Sequence, residues 1–198
     1  KIENWENQIN DINNKILEPK KNRVEDISQR LNNLLSSLDS DELSKIKEEI
    51  EKLGDPFFDD YETTWNDTIA TIESKIAEKK EQDYKSSCNS YSYNEILRHP
   101  DEYVYKRAHF FGKVIQIVSK SAGHTVMRVA VSCEKNRYSS GGYLCSDAIY
   151  VSYLGSESLI EDDLIDMWGY LTGTQSYTTV LGSELTIPSF NSEYISIK

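Results

Sequence analysis

Cysteine, histidine and clustered carboxylates are the residues of this sequence that could hold a metal, a disulfide or a catalytic proton. Cys133 and Cys145 flank a polar, glycine-containing turn, SCEKNRYSSGGYLCSD, residues 132–147. Three chemistries fit such a pair: a disulfide, half of a metal site, or two small apolar residues on neighbouring strands. Structural zinc takes four ligands at short paired spacings such as C-x2-C. Neither cysteine has a partner at that spacing, and His99, His109 and His124 are scattered, so no metal is expected. The acidic run Glu161, Asp162, Asp163 and Asp166 lacks the glycine-punctuated loop of an EF-hand and reads as a solvated turn. The sequence has no G-x-S-x-G elbow, H-E-x-x-H, P-loop or dinucleotide fingerprint. Neither enzymatic activity nor a cofactor is expected.

The elements that must position these residues follow two grammars. Through residue 85 the apolar residues step by three and four. Ile2, Trp5, Ile9, Ile12 and Ile16 form one stripe, which Pro19 is expected to interrupt. Val24, Ile27, Leu31, Leu34 and Leu38 form a second, and Leu43, Ile46, Ile50 and Leu53 a third. Tyr61, Trp65, Ile69, Ile72 and Ile76 form a fourth, with Phe58 leading into it. Such narrow stripes predict antiparallel helices, a bundle or coiled-coil hairpins, with the stripes as core. The functional alternative for these stripes is self-association or partner binding, with Trp5 and Trp65 as anchors. Ser40 is the expected cap of the third helix, and Gly54-Asp55-Pro56 ends it.

Of nine glycines only Gly54 precedes residue 112, and from His109 the apolar period becomes two. A short helix, YNEILRHPDEY, is expected first, with capping-box spacing in SYNE (92–95) and a break at His99-Pro100. Strands then read at HFFGKVIQIVS, HTVMRVAVSC, YLCSDAIYVSYL and DLIDMWGYLTG. A long or bent SYTTVLGSELTIPSF follows, and EYISI closes the chain. Gly112 inside the first strand suits a barrel bend. A helix is expected over Leu159–Leu164, between strands three and four. Five short antiparallel strands with a helix there match an OB-fold barrel. The expected class is therefore α+β, segregated: a helical module over 1–85 and an OB-fold domain over 86–198.

The net charge is −11, and no apolar run approaches the roughly 18 residues that span a bilayer. The acidity is uneven, net −8 over residues 1–86 and −3 over 87–198. Nucleic-acid binders usually carry a basic face, so nucleic acid is disfavoured as a partner. The chain opens on Lys1 rather than methionine, which suggests a processed chain or a trimmed one.

The stretch YSYNEILRHPDEYVYKRAHFFGKVIQIV resembles the opening of the tRNA-anti-like OB-fold family. Tyr93, Arg98, Pro100, Tyr103, Phe110 or Phe111, Gly112, Val114 and Gln116 carry the pattern. Its closing stretch is similar to GYLTGTQSYTTVLGSELTIPSF, through Gly173, Tyr177, Gly182, Ile187 and Pro188. The resemblance covers about residues 91–198. Val104, Tyr105 and Lys106 stand where the family has a glycine-lysine pair, and EDDLID makes the turn before strand four more acidic. The resemblance implies a non-enzymatic domain of Gram-positive envelope or lipoprotein-type proteins, with ligands mostly undefined. It therefore implies an extracytoplasmic setting, with a removed lipid or signal segment as anchor. That setting favours the Cys133–Cys145 disulfide over reduced thiols and leaves Cys88 as an odd thiol.

In an OB fold, ligands meet strands two and three and the loops joining strands one and two and strands four and five. Lys120, His124, Arg128, Arg137, Tyr138, Tyr143, Tyr150, Tyr153 and Tyr177 are the candidate contact residues. Tyrosine suits protein interfaces and base stacking alike. The sequence therefore reads as a binding protein that contacts a protein or envelope partner. The alternative is an oligonucleotide-binding module, which predicts a basic stripe across strands two and three.

Overall fold

Apolar residues at three- and four-residue spacing form four helices in the first half of a computed structural model, which describes residues 2–135, 142–178 and 182–198. Helix α1 spans Ile2–Ile12, a π-helical turn follows over Asn13–Leu17, and α2 spans Glu18–Ser37. Pro19 does not break this run. It sits in the first turn of α2, just past the π turn, where its missing N–H is accommodated. Helix α3 spans Ser40–Glu51. Its cap is Asp39, one residue before the expected Ser40, and the Asp39 carboxylate accepts from the amides of Asp41 and Glu42. Helix α4 spans Asp59–Ser86.

Two compact units emerge, Lys1–Lys80 and Glu81–Lys198. In the first, α2, α3 and α4 share one core built on Ile27, Leu31, Ile46, Trp65 and Ile72. The Trp65 indole N–H donates to Ser28 Oγ at 3.0 Å, so its polar atom is satisfied inside the core. Arg30 joins α2 to α3 through Glu42 and Glu49. The first stripe corrects the sequence expectation. Trp5 is 67% exposed, and Ile9, Ile12 and Ile16 are about half exposed. They are not core: burial in this unit begins within α2, at Ile27, Leu31 and Leu34.

The second unit is a closed barrel in the order β1-β2-β3-β5-β4. Its strands are β1 (Arg107–Ser121), β2 (His124–Lys135), β3 (Tyr143–Leu154), β4 (Leu164–Thr178) and β5 (Glu184–Ile197). All pairs are antiparallel except β3 with β5. The expected fifth strand SYTTVLGSELTIPSF is thus divided: residues 176–178 end β4, residues 184–190 open β5, and EYISI ends β5. Gly112 lies inside β1, where a Cβ would come 2.6 Å from the Ala130 carbonyl oxygen, which explains the glycine. Helices α5 (Tyr93–Arg98) and α6 (Pro100–Tyr103) break at His99 as expected, and Ile96 enters the barrel core. Ser92 is the N-cap of α5, but its side chain makes no capping hydrogen bond.

The helix expected over Leu159–Leu164 is absent. Residues 155–163 form an irregular crossing in which Leu159 is buried and Asp162 has a left-handed backbone, φ 74°. The Asp163 carboxylate accepts from the Ile160 amide, a local bond that competes with helical pairing.

Candidate binding face

The outward residues of β2 and β3 alternate with the core positions Met127, Val129, Ile149 and Val151. Register places Arg128 opposite Tyr150, Val126 opposite Ser152 and His124 opposite Leu154. Arg128 also reaches the end of β4: its guanidinium lies 4.3 Å from the ring centroid of Tyr177, within cation–π range. Arg128, Tyr150 and Tyr177 therefore form one cluster, and His124 lies beside it, bonded to Ser152 Oγ at 2.9 Å.

Other expected contact residues lie elsewhere. Tyr153 is 4% exposed, packs in the barrel core and bonds Glu157 through its hydroxyl. Its parity with Val151 turns it inward, so it lines no surface. Lys120 lies at the end of β1, beside the β1–β2 turn as expected, where its ammonium donates to the Leu159 carbonyl. Tyr143 packs edge-on against Phe111. Arg137 and Tyr138 lie outside the described residues. Cys133 and Cys145 are directly paired across β2 and β3 and form a disulfide, while Cys88 is free and half-buried.

Tyr93 was not among the expected contacts. Burial raises its phenol pKa, with Asp147 and Tyr177 adding to the rise, so it belongs to the same neighbourhood. Tyr93 is the first residue of α5 and packs partly buried against the barrel core. Along the described parts of β2 and β3, Arg128 and Lys135 face Glu134 and Asp147 in number. The basic stripe that the oligonucleotide alternative predicts is absent from the described parts of these strands, which carry a mixed face with aromatic rings. Among the described residues, no helix is long and apolar enough to cross a membrane, and no group of three or more acidic, histidine or cysteine side chains could hold a metal.

No family model and no curated protein matches the chain. Solved structures do resemble its C-terminal half. One is the small single-stranded DNA-binding protein of Streptomyces coelicolor, at 15% identity and a TM-score of 0.33, covering 48% of this chain and 94% of that one. Another is the mitochondrial single-stranded DNA-binding protein Rim1 of S. cerevisiae, at 9% identity and a TM-score of 0.28, covering 47% and 94%. The fold class itself stands on the barrel: helices followed by a closed five-stranded OB-fold.

Proposed function

We propose that this is a non-enzymatic binding protein whose OB barrel takes a short single-stranded oligonucleotide on the β2–β3 face, under the end of β4. The observation that carries this reading is the Arg128–Tyr177 contact beside Tyr150. It places a guanidinium plane and two aromatic rings where an OB fold meets ligands. Stacking of a base on such groups contributes about 1–3 kcal/mol and tolerates any sequence. The mixed charge makes the phosphate contribution small. Binding then depends on stacking, and its salt slope is shallow, near that of one or two phosphate contacts, at roughly 0.7 per contact for single strands.

A second reading, a protein or envelope partner outside the cytoplasm, is favoured by the disulfide and by the mixed face. Disulfides persist in oxidising compartments, and tyrosine and arginine are enriched at protein interfaces. Fluorescence anisotropy with labelled oligo-dT separates the two. Saturable binding that Arg128→Ala weakens supports the oligonucleotide. Absence of binding at low salt removes it and leaves the protein partner.

A further inference from the structure

One outward row of side chains runs around the barrel without a break. Strand register pairs Val126 with Ser152, Ser152 with Asn191, Asn191 with Tyr170, and Tyr170 with Arg107. The row thus crosses β2, β3, β5, β4 and β1 in turn. Its middle is low and polar, and the Asn191 amide donates to the Tyr170 hydroxyl at 3.1 Å. One end adjoins Arg128 and Tyr150. The other end has the same chemistry again: the Arg107 guanidinium lies 4.6 Å from the Tyr84 ring centroid, and the Tyr105 ring lies 6.4 Å from that of Tyr170. Four strand-to-strand steps of about 4.8 Å make the span roughly 19 Å along the surface.

Tyr105 is the unusual residue at that second end. Its side chain is 78% exposed, yet its backbone is left-handed at φ 63°, a conformation uncommon for a bulky residue. Its amide donates to the Leu171 carbonyl at 2.8 Å, which fixes this backbone against β4. The fold therefore holds a large ring out in water at a local conformational cost, a pattern found at functional positions. Tyr84, Tyr105, Arg107, Tyr170 and Glu193 line an open cleft there of about 320 Å³. Burial pushes the Tyr84 phenol up to about 12, with Glu193 adding to the rise.

We infer that the ligand path continues from the Arg128 cluster across Ser152 and Asn191 to a second stacking station at Tyr105, Arg107 and Tyr84. This rests on the oligonucleotide reading and extends it across β5 and β4 to β1. A short strand reaches only the first station, while a longer one reaches both. Glu193 is the acid at the second station and opposes a phosphate there.

The test compares labelled dT3 and dT12 on the full chain, in wild type, Tyr105→Ala, Tyr105→Gly and Glu193→Gln, with thermal melts to check folding. Glycine accepts the left-handed backbone, so it removes the ring without strain. Expected are a 5- to 100-fold loss for dT12 in both Tyr105 variants, no more than a twofold change for dT3, and tighter dT12 binding in Glu193→Gln. If Arg128→Ala weakens dT12 while the Tyr105 variants bind it like wild type, the path ends on β2–β3 and the inference is wrong. If wild type binds neither length, the oligonucleotide reading fails and takes the second station with it.

Discussion

The guanidinium of Arg128 lies 4.3 Å from the centre of the Tyr177 ring, although β2 and β4 are not neighbours in the barrel. The end of β4, beyond the irregularity between Leu171 and Gly173, leans over β2 and closes one side of the face. The two residues act together, so removing either exposes the same platform. Arg128→Ala and Tyr177→Ala are each expected to weaken oligo-dT binding about 5- to 100-fold, as loss of one stacking contact does. The double variant should lose little more than either single one. Equilibrium anisotropy checks this, and fully additive losses would show that the pair is not a unit.

The Cys133–Cys145 bond closes a short loop, with a sequence separation of 12. Chain entropy gives about 3 kcal/mol for a loop of this size. Replacing both cysteines with serine should lower barrel stability by about that amount in denaturant melts of oxidised protein. A thiol count on denatured, unreduced protein should find one free thiol, Cys88. Three free thiols in protein made under oxidising conditions would contradict the bond.

Gly169 sits where β4 is irregular against β5. A Cβ there would lie 1.9 Å from the Asn191 carbonyl oxygen and 2.8 Å from the Ser192 Cα. Both contacts are backbone and neither can swing away. Gly169→Ala should therefore destabilise the barrel by more than about 3 kcal/mol or prevent its folding. An unchanged melting temperature would show that β4 and β5 are not packed as described.

Asp166 accepts from His109 at 2.8 Å and pairs with Lys198 at 2.6 Å. Burial acts to raise its pKa, but Lys198 and His109 outweigh it and hold the carboxyl below its ordinary value. A depressed carboxylate contributes stability that is present above its unfolded pKa, about 3.9, and is lost as pH falls through the folded value. Wild type should therefore lose stability below about pH 4 more steeply than Asp166→Asn. Parallel curves between pH 5 and pH 2 would contradict this role.

The period-two grammar located four strands closely, and the break at His99-Pro100 fell where the sequence put it. Three features were not legible, each for a physical reason. The Leu159 crossing has helical spacing, but the Asp163 carboxylate and the left-handed Asp162 divert the backbone. The first apolar stripe has the same period as the buried ones, and spacing alone cannot tell a stripe with a partner from one without. Tyr153 shares the parity of Ile149 and Val151, so its inward turn was readable, but the Glu157 carboxylate that satisfies its buried hydroxyl comes from the irregular crossing and was not. Of the candidate face, Arg128, Tyr150, Tyr177 and His124 were legible from position in the fold. The row through Ser152, Asn191 and Tyr170 was not, because it exists only in the cross-strand register.

The most direct measurement is ultraviolet crosslinking of bromouracil-containing dT12 to the oxidised full chain, followed by peptide mapping. Crosslinks at Tyr150 or Tyr177, suppressed by unlabelled dT12 and weakened in Arg128→Ala, are the predicted result. Crosslinks confined to the helical unit, or none above background at low salt, would contradict the claim that the barrel face binds a single strand.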